Sequence, residues 1–134
     1  METIKTTYMG GLRTEATHLQ SGNKIITDAP TDNNGKGEAF SPTDLLAASL
    51  GSCALTIMGI MADRHNIDII GTTIKVTKIM AAEPRRVSEI HVEFAMPKRT
   101  YTDKEKTLLE QAALTCPVSK SLHPDLKQVI VFNY

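Results

Sequence analysis

A chain of 134 residues is long enough for one domain with one core, read here as a single domain over 1–134. Its 15 basic residues balance 15 acidic ones, which removes the electrostatic case for nucleic acid or an anionic membrane surface as partner. With three Phe, three Tyr and no Trp, there is little material for stacking on bases or sugars.

From the N-terminus, residues 3–9 and 12–19 read as Thr-rich strands separated by the tight turn Gly10-Gly11. Ser21-Gly22-Asn23 makes a second turn into a short strand at 24–28, completing an antiparallel meander. Residues 30–40, with Gly35 and Gly37, form a loop.

The segment 41–64, SPTDLLAASLGSCALTIMGIMADR, is the centre of the chain. Ser41 can cap a helix, Pro42 fits its first position, and Asp44 suits the positive end of the dipole. Between Leu45 and Ala62 there is no charge, and apolar or small residues fall on every side of the wheel. The length approaches that of a membrane span. Small and hydroxylated residues weaken it, and there is no basic flank or second span, so it reads as a buried helix and no membrane partner is expected. Gly51 and Gly59 suggest close approach of another element.

Beyond it, residues 72–82 and 87–96 read as strands. The second alternates Ile90, Val92, Phe94 and Met96 with Glu89, His91 and Glu93. Thr102-Asp103-Lys104-Glu105 matches a capping box, so a helix starts there and runs to Cys116. Pro117 breaks it and begins a short second helix, which places Cys116 at a helix N-terminus, where the dipole favours a thiolate. Residues 128–134 are the last strand. The order βββ-α-ββ-α-β predicts an α+β fold with helices against antiparallel sheet. A helix apolar all round needs cover on all sides, more than this chain offers, which predicts a homodimer with twofold symmetry.

Two cysteines, Cys53 and Cys116, make no disulfide scaffold. No export signal is visible, so a reducing cytoplasm is expected, where a bridge between them would be transient and catalytic. Each sits on a candidate buried helix. Two readings stay open on the residues alone: small buried hydrophobes, or a redox pair brought together by helix packing. His18, His65, His91 and His123 show no ligand spacing, so no metal is expected. The glycine loop lacks the lysine of a phosphate-binding loop, and no cofactor is expected.

The segments PTDLLAASLGSC around Cys53 and TCPVS around Cys116, with GGLR ending in Arg13 and the loop GKGEAFSP, resemble the OsmC/Ohr family. These are osmotically induced and organic hydroperoxide resistance proteins, thiol-dependent peroxidases of the oxidative stress response. The resemblance covers nearly the whole chain. It implies an intertwined homodimer with a site at the interface. It also implies a peroxidatic role for Cys53, a resolving role for Cys116 and an arginine, Arg13, holding thiolate and peroxide oxygen. An external dithiol, lipoyl-type in relatives, would reduce the disulfide.

Elementary rates show why an arginine is needed. A thiol of pKa about 8.5 is only about 3% ionised at neutral pH. Lowering the pKa by about three units gains roughly 30-fold in thiolate but loses roughly 20-fold in nucleophilicity, for a slope borrowed from disulfide exchange. The useful gain must come from a donor on the leaving oxygen, a task suited to the guanidinium fork.

In one place the chain departs from the family pattern. Where the peroxidases carry a Glu after the helix-start Pro, this chain has Thr43. The candidate partners of Arg13 are then Glu38, Thr43 and Asp44. The departure places the chain nearer the OsmC-like branch. It leaves a second reading, a small-molecule-binding or redox-sensing dimer without turnover.

Overall fold

Positive-φ glycines turn the first strands back on themselves: Gly10 and Gly11 have φ of 80° and 60°, a region that costs other residues a clash. In the computed structural model, which describes Met1–Tyr134, β1 (Ile4–Gly10), β2 (Arg13–His18) and β3 (Lys24–Asp28) form an antiparallel three-stranded sheet. The register pairs Tyr8 with Thr14 and Thr14 with Thr27, and, one step further, Arg13 with Asp28. Directly paired residues share a face. Ile4, Tyr8, Ala16 and Ile25 therefore lie on one face, and Glu15, Ile26 and the Arg13–Asp28 pair on the other. A short 3-10 turn at Thr31–Asn33 interrupts the loop that follows.

Helix α1 (Pro42–Arg64) begins as its sequence predicts. The Asp44 N–H donates to Ser41 Oγ and the Ser41 N–H to Asp44 Oδ2, both at 3.0 Å. This is a reciprocal cap with Asp in the place of the usual Glu.

By length and composition α1 could cross a membrane. Its buried residues, Ala47, Leu50, Gly51, Ala54, Met58 and Ala62, follow one helical stripe. Within one chain 33% of its most apolar stretch is buried, and Leu46 and Ile60 are open, as expected of a helix that needs more cover than this chain offers. A single chain supplies cover for one face only. Gly51 is where another element comes close, since a Cβ there would lie 2.5 Å from Ile74 Cδ1. Gly59 meets nothing within 4 Å.

The second sheet contains β4 (Thr73–Ala81), β5 (Arg86–Ala95) and β6 (Lys127–Asn133), in that order. Helices α2 (Asp103–Leu114) and α3 (Pro117–Ser121) connect β5 to β6. This crossover explains the one departure from an antiparallel arrangement: β6 runs parallel to β5. Phe94 and Phe132 are register partners, and their rings stack at 4.8 Å. The capping box of α2 forms as predicted, with Glu105 N–H on Thr102 Oγ1 and Thr102 N–H on Glu105 Oε1. The fold is α+β.

The chain forms two compact units, Met1–Leu46 and Ala47–Tyr134, whose boundary falls within α1. The hydrophobic core lies in the second, from Ala47 on α1 through Ile90, Val92 and Phe94 on β5 to Leu109 and Ala113 on α2.

Candidate functional site

The second unit brings the two cysteines together. Cys53 lies on α1 one residue before buried Ala54, half-buried at the edge of the core. Cys116 caps α3 and is fully buried. Both are free thiols, and they are neighbours close enough for Cys53 to act on the ionisation of Cys116. Helix packing does this work: Leu50, Ala54, Leu109 and Ala113 belong to one core cluster with Ile90, Val92 and Phe94, which joins the middle of α1 and the C-terminal half of α2 to the same sheet.

The electrostatics of Cys116 run against the sequence expectation. The Ser119 N–H does reach its sulfur, at 3.4 Å, as a helix start allows. Burial nonetheless dominates and pushes the thiol pKa up, and the neighbouring Cys53 thiol adds to this. Backbone N–H groups of Ser119 and Val118 pull the other way without winning. Cys116 therefore rests as a protonated thiol. Ser119 is itself fixed, its Oγ donating to Gln128 Oε1 at 2.6 Å and its carbonyl accepting from Gln128 Nε2 at 3.2 Å.

The first unit holds the arginine. Arg13 Nε donates to Asp28 Oδ1 at 2.7 Å and Nη2 to Asp28 Oδ2 at 2.8 Å, a two-point fork. Nη2 also reaches Glu38 Oε1 at 3.3 Å, and the Glu38 N–H donates to Asp28 Oδ2 at 3.1 Å. The Arg13 hydrogen bond, assisted by its charge, holds the Asp28 carboxyl below the usual range; Asp28 in turn raises the guanidinium. Of the three candidate partners of Arg13, Glu38 contacts it. Thr43 and Asp44 bond to Ser41 at the helix start.

Asp28, the strongest partner, is the residue the sequence reading missed. The signal was present, since counting register across the Ser21-Gly22-Asn23 turn sets Asp28 opposite Arg13. No group of three or more His, Cys, Asp and Glu is arranged to hold a metal ion.

The pattern matches a known family. Residues 35–129 fit the OsmC-like protein family. The chain belongs to the OsmC-like family. It is 59% identical to a Psychrobacter arcticus protein assigned to osmotic stress induction and the detoxification response. That match covers 99% of this chain and 96% of the other, with a TM-score of 0.95. The organic hydroperoxide resistance protein OsmC of Legionella pneumophila is 16% identical over 100% of this chain and 98% of its own, TM-score 0.77. An organic hydroperoxide resistance protein of Elizabethkingia anophelis is 18% identical over 99% and 96%, TM-score 0.71. At such identities these two show that the OsmC-like fold is shared. No curated protein gives a significant match.

Proposed function

We propose that this OsmC-like chain is a cysteine-based peroxidase that reduces organic hydroperoxides. The observation that carries the reading is the neighbouring pair of free thiols, Cys116 within the hydrophobic core and Cys53 packed against it. Structural relatives named for organic hydroperoxide resistance support it.

In this reading the Cys53 thiolate attacks the distal oxygen of ROOH. The O–O bond breaks, RO⁻ takes a proton and leaves as the alcohol, and Cys53 becomes a sulfenic acid. Arg13 donates hydrogen bonds to the oxygen that gains charge. Cys116, as its thiolate, then attacks the Cys53 sulfur, and hydroxide leaves as water with the proton released by Cys116. An external dithiol, of lipoyl type in this reading, returns two electrons and two protons to the disulfide. The protonated resting state of Cys116 suits a resolving thiol, which should not compete for peroxide.

The working form is a cytoplasmic homodimer, with residues 1–134 acting as one functional domain. Two open surfaces support an assembly: α1 beyond its buried stripe, and the Ile4, Tyr8 and Ile25 face of the first sheet, exposed at 58%, 65% and 51%. A three-stranded sheet with a bare apolar face needs a packing partner.

The test is turnover of cumene hydroperoxide with a lipoyl dithiol. Cys53→Ser should abolish consumption, and Cys116→Ser should allow about one turnover before over-oxidation of Cys53. Equal rates for Cys53→Ser and wild type would overturn the reading. Binding of hydroperoxide without consumption would favour the redox-sensing dimer, to which Thr43 at the helix start also points.

A further inference from the structure

Asp28 is the one acidic side chain of the chain that is buried, with 1% of its side chain exposed. An isolated carboxylate at such a position would be costly. Here the carboxylate accepts three hydrogen bonds, two from Arg13 and one from the Glu38 N–H. The partners differ in exposure. Arg13 keeps 30% of its side chain open, so the anchor is hidden while the cation reaches outward.

The atoms involved also differ in their engagement. The Nε and Nη2 edge of Arg13 is taken by Asp28, and Nη2 has Glu38 besides. Nη1 donates to no group of the chain. A guanidinium is a rigid plane, so fixing one edge at two points fixes the direction of the remaining N–H bonds. An arginine serving only as a structural tie would be expected to spend its donors inside the fold. This one holds the two of Nη1 in a set direction, on a side chain that keeps 30% of its surface open.

We propose that Asp28 is the positioning residue of Arg13, clamping its Nε–Nη2 edge so that Nη1 is presented as the donor to the hydroperoxide oxygen. The proposal rests on the reading of Arg13 as that donor. Asp28 thereby takes the anchoring task from the helix start, where Thr43 has no carboxylate to offer and Asp44 closes the cap with Ser41. The clamp is set by strand register: Asp28 is the cross-strand partner of Arg13, so the two side chains rise from one face of the β2–β3 pair.

Two measurements on the full-length protein test this. The first is nitrogen-15 NMR of the arginine Nε–H groups. Arg13 should give a resolved signal that exchanges slowly with water in wild type and in Asp28→Glu, and as fast as exposed arginines in Asp28→Asn. Fast exchange in wild type overturns the clamp without need of any variant. The second is steady-state turnover of cumene hydroperoxide. Asp28→Asn should lower kcat/KM about 100-fold, the scale of a misplaced catalytic group, with Asp28→Glu recovering part of the loss.

Asp28→Asn within about twofold of wild type, while Arg13→Gln is inactive, overturns the proposal, because Arg13 then works unanchored. If wild type itself consumes no hydroperoxide, it is the peroxidase reading that fails. The Nε–H exchange still decides whether Asp28 holds Arg13.

Discussion

The two compact units of this chain bury opposite kinds of residue. Every buried polar side chain, Thr27, Asp28 and Ser41, belongs to Met1–Leu46. Every buried hydrophobic one, from Ala47 to Leu126, belongs to Ala47–Tyr134. The second unit is held by a packed core, the first by hydrogen bonds and one charged fork, while its apolar residues Ile4, Tyr8 and Ile25 stand open. The contrast teaches which kind of side-chain arrangement each unit can hold. Bringing two thiols together out of water needs a rigid, dry interior; aiming a guanidinium needs a buried carboxylate and polar surroundings.

The sharpest way to break the comparison is to damage the core. Phe94→Ala removes a fully buried ring stacked on Phe132 and should cost about 3–5 kcal/mol in denaturant unfolding. A loss below about 1 kcal/mol would mean that the second unit is not the source of stability. Next is the bare sheet face. If it is covered in a homodimer, Tyr8→Lys should shift sedimentation from dimer to monomer at micromolar concentration, while leaving the second unit folded. An unchanged dimer would move the interface elsewhere. Thr102→Ala removes the cap of α2 and should cost about 1 kcal/mol, read from the same unfolding curves.

The smallest effects are in the titrations. The folded pKa of Asp28 lies below its ordinary value because Arg13 bonds to the ionised form. A group depressed in this way contributes stability that is complete above its unfolded value of about 3.9 and is lost as pH falls through the folded one. Asp28→Asn should therefore flatten the loss of stability below about pH 4, measured by acid unfolding. Cys116 has the opposite sign. Its raised folded pKa gives stability that is present below about pH 8.5 and lost as pH rises toward the folded value. Iodoacetamide at pH 8 should accordingly label half-buried Cys53 before buried Cys116, with mass spectrometry counting each adduct.

Much of the fold is legible in local chemistry. The cap at Ser41, the capping box at Thr102, the helix break at Pro117 and the glycine turns are short-range events, so the elements fall within about one or two residues of their predicted bounds. The alternation of β5 likewise anticipates Ile90, Val92, Phe94 and Met96 in the core. Less legible was the extent of cover on α1. Its composition shows that it is apolar on every side, but only packing shows which stripe a single chain can bury.

What the sequence by itself determined was the order of elements, the two cysteines on helices and the arginine at the start of β2. Each depends on neighbours a few positions away. What the tertiary structure alone decided was partnership: Cys53 against Cys116, 63 positions apart by their numbering, and Arg13 on Asp28 with Glu38 behind it. It also decided that Cys116 rests protonated, because burial outweighs the backbone N–H groups at its helix start. The physical reason is common to both. Desolvation and side-chain pairing are set by what surrounds a group in space, and a local pattern carries only the neighbours along the chain.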